Sequence, residues 1–284
     1  MAIDGPEPDQ QPASRWQNRG NAPESRPLYA YLLDADDDLA QEFDVRMRLS
    51  ARQLATARVL DAGVGRSNLT PWLQAVGNGP GLLILDGLVA IDTCVGARTA
   101  TELVGAGDLL LPTSQRPEDM LERTTGWHVL CQARLAVLDE EFSERVRPWP
   151  QISQALLRRV GRRAAELDVL RAISCQPRLE VRLVLVLWHL AARWGRVEPA
   201  GIRLALPLTH RLLGQLVGAE RPSISHALGR LAHARLVTGS AGDLHLHGTV
   251  ERHLECLIER TGTVGIGDRD KTGRSRGGQI ASSA

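Results

Sequence analysis

The sequence predicts an α+β chain: an N-terminal double-stranded β-roll (jelly roll), one long helix, and a C-terminal helical domain closed by a β-hairpin. Three observations predict it. Residues 28–148 are dominated by short apolar runs broken by Gly, Pro and Asp, the punctuation of a small strand-rich fold. At Pro150 the apolar residues change to a spacing of three and four, which marks one face of a helix. Residues 208–247 then read as two short helices joined at a glycine and followed by an alternating hairpin.

Length and composition bound the classes. A chain of 284 residues has room for two domains, and 43% hydrophobic residues suffice for their cores. The 34 basic residues nearly cancel the 33 acidic ones, so no global field marks a coat for nucleic acid or membrane. Lys271 is the only lysine, every other basic residue being arginine. No apolar run reaches the roughly 18–20 residues of a membrane helix. The acidic, Pro-rich N-terminus lacks the basic-then-apolar pattern of a signal peptide. A cytoplasmic protein with no membrane partner is expected. Cys94, Cys131, Cys175 and Cys256 make no CxxC pair, which argues against zinc knuckles and a disulfide scaffold. Residues 1–27 and 261–284 have little to bury and are expected to be a disordered leader and tail.

Within the β region, 28–148, the clearest runs are Gly81–Gly87, Leu88–Asp92, Leu109–Pro112 and Trp127–Ala133, with the turn Gly105-Ala-Gly-Asp108 between two of them. In the long helix, 149–176, Leu156, Val160, Ala164, Leu167 and Leu170 continue the face begun by Ile152, while Arg158, Arg159, Arg162 and Arg163 occupy other faces. So narrow a seam on so long a helix suits dimerisation with a second copy; the competing reading is a helix packed on its own β domain. Pro177 breaks the helix and opens the C-terminal domain, 177–260. There Leu179–Arg193 is apolar almost all round, the pattern of a core helix.

The stretch Leu208–Leu231 is the most informative. Thr209 is placed to cap a helix whose apolar face is Leu212, Leu213, Leu216 and Val217. Gly218 sits where a tight turn needs positive φ. Pro222 is tolerated in the first turn of the next helix, whose inward residues are Ile224, Ala227, Leu228 and Leu231. Arg221, Ser223, Ser225, His226 and Arg230 are left outward or flanking. Leu236–Thr238, the loop 239–243 and Leu244–His247 complete a hairpin. This is a winged helix-turn-helix with a recognition helix.

Residues 208–248, with the core Gly214-Gln-Leu-Val-Gly-Ala-Glu-Arg-Pro-Ser-Ile-Ser225, closely resemble the DNA-binding domain of the Crp/Fnr family of bacterial transcription regulators. Pro150–Leu190 can be laid on that family's dimer and hinge helices, with Arg182-Leu183 on a typical Arg–aliphatic pair. Residues 28–148 resemble its cyclic-nucleotide-binding-type β-roll through Gly81–Asp92 and Gly105–Asp108. The resemblance implies a homodimer on a palindromic site in double-stranded DNA, with RNA polymerase as a candidate partner. It puts base contacts on Arg221, Pro222 and His226. Arg221 suits bidentate contact with guanine, whereas Pro222 cannot accept from cytosine and His226 is a weaker single donor. The half-site is therefore expected to differ from that of the cyclic-AMP receptor. Thr209, His210, Arg211, Ser223 and Ser225 are the candidates for phosphate contact.

Holding a cyclic-nucleotide phosphate in this fold takes a Gly-Glu-Leu helix start followed by an Arg-Ser or Arg-Thr pair. Residues 109–126 contain no Gly-Glu-Leu, and Arg116 and Arg123-Thr124 are the available substitutes. Leu167 and Asp168 stand where the cyclic-AMP receptor offers hydroxyls to adenine. Cyclic AMP in its usual mode is not expected, and the effector is unknown or absent. No cysteine precedes Cys94, where an iron–sulfur sensor would group its ligands. His128, the only histidine of 28–148, is the haem-ligand candidate. His245 and His247 lack an evident third ligand, so no metal site is expected. Metal-dependent β-roll enzymes need several converging histidines, which argues against catalysis. The remaining alternative is a β-roll and winged-helix protein that binds protein. Residues 199–261 carry seven arginines against five acids, a modest excess for DNA, although three acids fall in 251–259.

Overall fold

A computed structural model describes residues 28–112 and 120–262. The expected leader, nearly all of the expected tail, and Arg116 lie outside the described residues. The chain opens with β1 (Leu28–Tyr31), the one-turn helices α1 (Leu32–Ala35) and α2 (Asp37–Ala40), and α3 (Val45–Leu54). Then come β2 (Thr56–Ala62), β3 (Gly65–Arg66), α4 (Thr70–Ala75), β4 (Gly81–Val95), β5 (Arg98–Gly105), β6 (Leu109–Leu110), β7 (Arg123–Leu138) and α5 (Glu140–Val146). The strands form one antiparallel sheet in the order β1-β2-β7-β4-β5, with β3 on β7 and β6 on β4. The sequence does not announce α3. Its Asp44 caps the amides of Arg46 and Met47, but Val45 and Leu49 are exposed and only Ala51 is buried, so no apolar period marks it.

The runs 81–87 and 88–92, which read as separate short strands, are one strand, a correction with a local cause. Gly87 adopts φ +96°, and the pairing of β4 with β7 shifts register between Ile84 and Val89. A Cβ on Gly87 would stand 2.4 Å from the Gln132 carbonyl oxygen, so this bulge admits only glycine. The near-continuous apolar character of these runs follows from burial on both faces. Leu82, Ile84, Val89, Val129 and Leu135 fill one core inside the roll. Leu83, Ala136 and Leu138 point the other way, into a second core with Leu33, Leu39 and Phe142.

Helix α6 (Pro150–Ser174) follows, with proline in its first turn. Ile152 and Leu156 are buried in the second core of their own roll, and Val160 packs against it. Leu170 packs on the C-terminal core, while Ala164 and Leu167 are exposed. Of the residues expected in an intermolecular seam, Leu156 is thus buried within its own chain, while Val160 and Leu170 are only half-buried. The period of an amphipathic helix identifies its buried face and not what buries it. The opposite face carries Leu157, which is 70% exposed, with Gly161, Ala164 and Ala165.

The C-terminal part consists of α7 (Leu179–Trp194), β8 (Arg196–Glu198), β9 (Gly201–Leu204), α8 (His210–Val217), α9 (Arg221–His233), β10 (Val237–Ser240), β11 (Asp243–His247) and α10 (Val250–Gly262). The wing is a four-stranded sheet, β10-β11-β9-β8. Its hairpin β8–β9 went unread because Arg196-Val-Glu198 alternates too briefly to signal a strand. Leu183, Val184, Val186 and Leu187 of α7 are fully buried among Leu213, Val217, Ile224 and Ala227. Leu88, Ala90 and Leu103 of the roll join the same cluster, so the two parts share apolar contact.

Candidate nucleic-acid interface

The helix pair α8–α9 is set by local chemistry. The Thr209 hydroxyl accepts from the Leu212 amide at 3.1 Å, satisfying one orphan donor of the first turn. Gly218 ends α8 at φ +67°, ψ +44°, the left-handed cap that favours glycine. A Cβ on Gly214 would lie 2.4 Å from the Ala219 carbonyl oxygen, so this glycine lets the turn fold back on α8. Sequence reading missed it. The available signal was a glycine on the otherwise apolar face of a short helix.

Helix α9 starts with Arg221-Pro222, the proline falling in its first turn. Ile224, Ala227 and Leu231 are buried beneath it. Arg221, Pro222, Ser223, Ser225 and His226 are all exposed, which brings the proposed base-reading residues onto one open end of the helix. The far end is held by an ion pair between Arg230 and Glu180 of α7. Burial pushes the Glu180 carboxyl upward, but backbone and Arg230 hydrogen bonds outweigh it and hold the group below its usual range.

The phosphate candidates divide. Thr209 and Arg211 are exposed at the start of α8, and Ser223 is exposed on α9. His210 is half-buried, with Nδ1 2.8 Å from the Ser225 hydroxyl. That hydroxyl also lies 3.3 Å from the Arg221 carbonyl, to which it donates. His210 and Ser225 therefore form a tie between the two helices before either meets a ligand.

Among the described residues the β-roll shows no matching anion cradle. Its interior is filled by apolar side chains, Trp127 among them, and Arg123-Thr124 lies at the exposed start of β7, opposite Val95 and Cys94. His128 is exposed on β7, paired with Ala90 on one side and Arg66 on the other. On α6, Leu167 is exposed, and Asp168 pairs with Arg171 at 3.1 Å. His245 stands 3.6 Å from Glu198 and 3.8 Å from Asp243, while His247 Nε2 is bonded to the Thr238 hydroxyl at 2.7 Å. Among the described residues no group of three or more His, Cys, Asp or Glu is placed to hold a metal ion, and no helix is long and apolar enough to cross a membrane.

The fold is a strand roll joined through one long helix to a winged helix-turn-helix domain. Residues 181–247 match the Crp-like helix-turn-helix domain, and the chain has the fold of the Crp/Fnr transcription regulators. It is 30% identical over 115 residues to the "CRP-like cAMP-activated global transcriptional regulator" of Mycobacterium tuberculosis, a match covering 39% of this chain and 50% of the relative. The chain thus spans half the length of that curated relative. Among solved structures, a CooA variant from Carboxydothermus hydrogenoformans superposes with a TM-score of 0.54 at 17% identity, covering 70% of this chain and 87% of that one. The c-di-GMP-responsive regulator CLP of Xanthomonas campestris gives 0.52 at 17% identity, covering 75% and 100%. At these identities the two structures speak for the fold alone. The matched relatives are regulators rather than enzymes.

Proposed function

We propose that this protein is a cytoplasmic, sequence-specific DNA-binding transcription regulator that acts as a homodimer on a palindromic site. The observation that carries this reading is the exposed first turn of α9, with Arg221, Pro222, Ser223 and His226 together above a buried face of Ile224, Ala227 and Leu231. A rigid helix whose polar end is free is suited to enter the major groove, with Arg221 gripping guanine. Thr209, Arg211 and Ser223 serve as phosphate contacts, and the His210–Ser225 tie fixes the angle between the helices. Two copies pair along the open face of α6 at Leu157, Gly161, Ala164 and Leu167. RNA polymerase is the partner this class of function calls for. Cyclic AMP is not expected as its effector in the usual mode, a reading supported by the apolar filling of the roll and by Arg123 at its exposed end. The test is the shift of a duplex by purified protein at several salt concentrations. Binding that weakens steeply with salt supports the reading, and absence of binding at low salt defeats it.

A further inference from the structure

We propose that the turn Gly105–Asp108 of the roll is a socket for the end of α7, through which the roll and the winged helix sense each other's position. The Asp108 carboxylate is 1% exposed. Its Oδ2 accepts from the Gly105 amide and from Arg193 of α7, each at 2.8 Å. Arg193 also donates to the Ala106 carbonyl at 3.1 Å and lies 3.6 Å from Glu166 of α6. The Gly107 carbonyl receives Arg159 at 3.3 Å and Arg162 at 3.4 Å, both from α6. The next residue of α7, Trp194, presses its ring on Gly105, where a Cβ would stand 3.3 Å from the indole. Two consecutive side chains at the end of α7 are therefore seated on one four-residue turn.

Both sides of this joint lead elsewhere. The turn runs directly into β6, whose Leu109 belongs to the second core of the roll and Leu110 to the inner one. A shift of either core is transmitted to Asp108. On the other side, α7 is the helix against which α8 and α9 are packed, so a tilt of its end moves the reading helix as a body. Directional bonds to a buried carboxylate favour one discrete seating over a continuum. In that seating the first turn of α9 is exposed, so the joined arrangement is the one competent for DNA. Coupling of this kind is reciprocal: what binds one side stabilises the seating at the other.

The consequence for DNA rests on the DNA-binding reading, whereas the joint itself does not. Hydrogen exchange of the full chain separates them. Arg193→Gln should speed exchange in the turn 105–108 and in α8 together, by about threefold or more, and Arg193→Lys should restore most of the protection in both. A random-sequence duplex at low salt should slow exchange at 105–108 in the native protein and not in Arg193→Gln. Loosening of only one of the two segments in Arg193→Gln overturns the joint. So does a native turn that ignores bound duplex. If the native protein binds no duplex, the DNA reading falls, and the paired loosening without DNA still decides the joint.

Discussion

The indole N–H of Trp188 donates to Nδ1 of His253 at 3.2 Å, and Nε2–H of His253 donates to the His247 carbonyl at 2.7 Å. One buried imidazole thereby joins α7, the wing and α10, with its ring edge-on to the indole. This pairing requires the neutral ring, since a proton on Nδ1 would face the indole N–H. Burial pushes the His253 pKa below its ordinary 6.5, and burial does the same at His189. As pH falls below about 6.5 the unfolded chain takes up protons that the folded one refuses. The stability these residues contribute is thus present above that pH and is lost below it, down to the lowered folded pKa. Melting curves should be level near neutrality and decline from about pH 6.5. His253→Leu should cost roughly 1–3 kcal/mol by stranding the two partners and should flatten part of that decline.

Asp36 and Arg159 form a two-armed pair at 2.5 and 2.6 Å, almost fully buried between α2 and α6. Burial drives the Asp36 carboxyl upward, but the Arg159 bonds and the Leu39 amide prevail and hold it below its usual value. Its contribution therefore persists above about pH 4 and is lost as pH falls further. Arg159→Ala leaves a buried carboxylate unpaired and should cost about 3–5 kcal/mol in urea unfolding at pH 7, a loss that shrinks in acid as Asp36 protonates.

Leu156 and Leu157 are neighbours in sequence with opposite surroundings. Leu156→Arg places a charge in the core of the roll and should yield a protein that melts many degrees lower. Leu157→Arg with Ala164→Arg places charges on the open face of α6 and should leave the melting of each protomer near normal while sedimentation shows monomers. Dimers of the second variant would remove this face from the account.

Cyclic AMP should leave the melting temperature unchanged at micromolar concentration. A ligand held at 100 times its Kd adds about 2.7 kcal/mol, readily seen as a rise of degrees. Such a rise would restore a nucleotide site to the roll.

The winged helix was legible in the sequence because its constraints are local. Thr209 caps within three residues, Gly218 must take positive φ, and the spacing of Ile224, Ala227 and Leu231 states which side of α9 faces inward. The roll was legible as strands but not as these strands. Asp86-Gly87 reads as a break because a bulge and a turn use the same residues. The fate of α6 was beyond reach for another reason: its apolar face would look the same against a second copy or against Phe142. Contacts such as Asp108 with Arg193 and Trp188 with His253 join segments remote in sequence and leave no periodic trace.

The central claim is that α9 reads bases through Arg221, and one comparison tests it most directly. Duplexes selected by the native protein from a random pool, alongside unselected duplexes, are titrated with native, Arg221→Ala and Arg211→Ala proteins over a range of salt. The selected sequences should be palindromes with half-sites about one helical turn apart. Arg221→Ala should lose roughly 1–3 kcal/mol per half-site on them, with little change on unselected DNA and relaxed preference at one base pair. Arg211→Ala should weaken both classes alike and flatten the salt slope by about one per subunit. Equal weakening of selected and unselected duplexes by Arg221→Ala would make Arg221 a phosphate clamp and contradict the reading face.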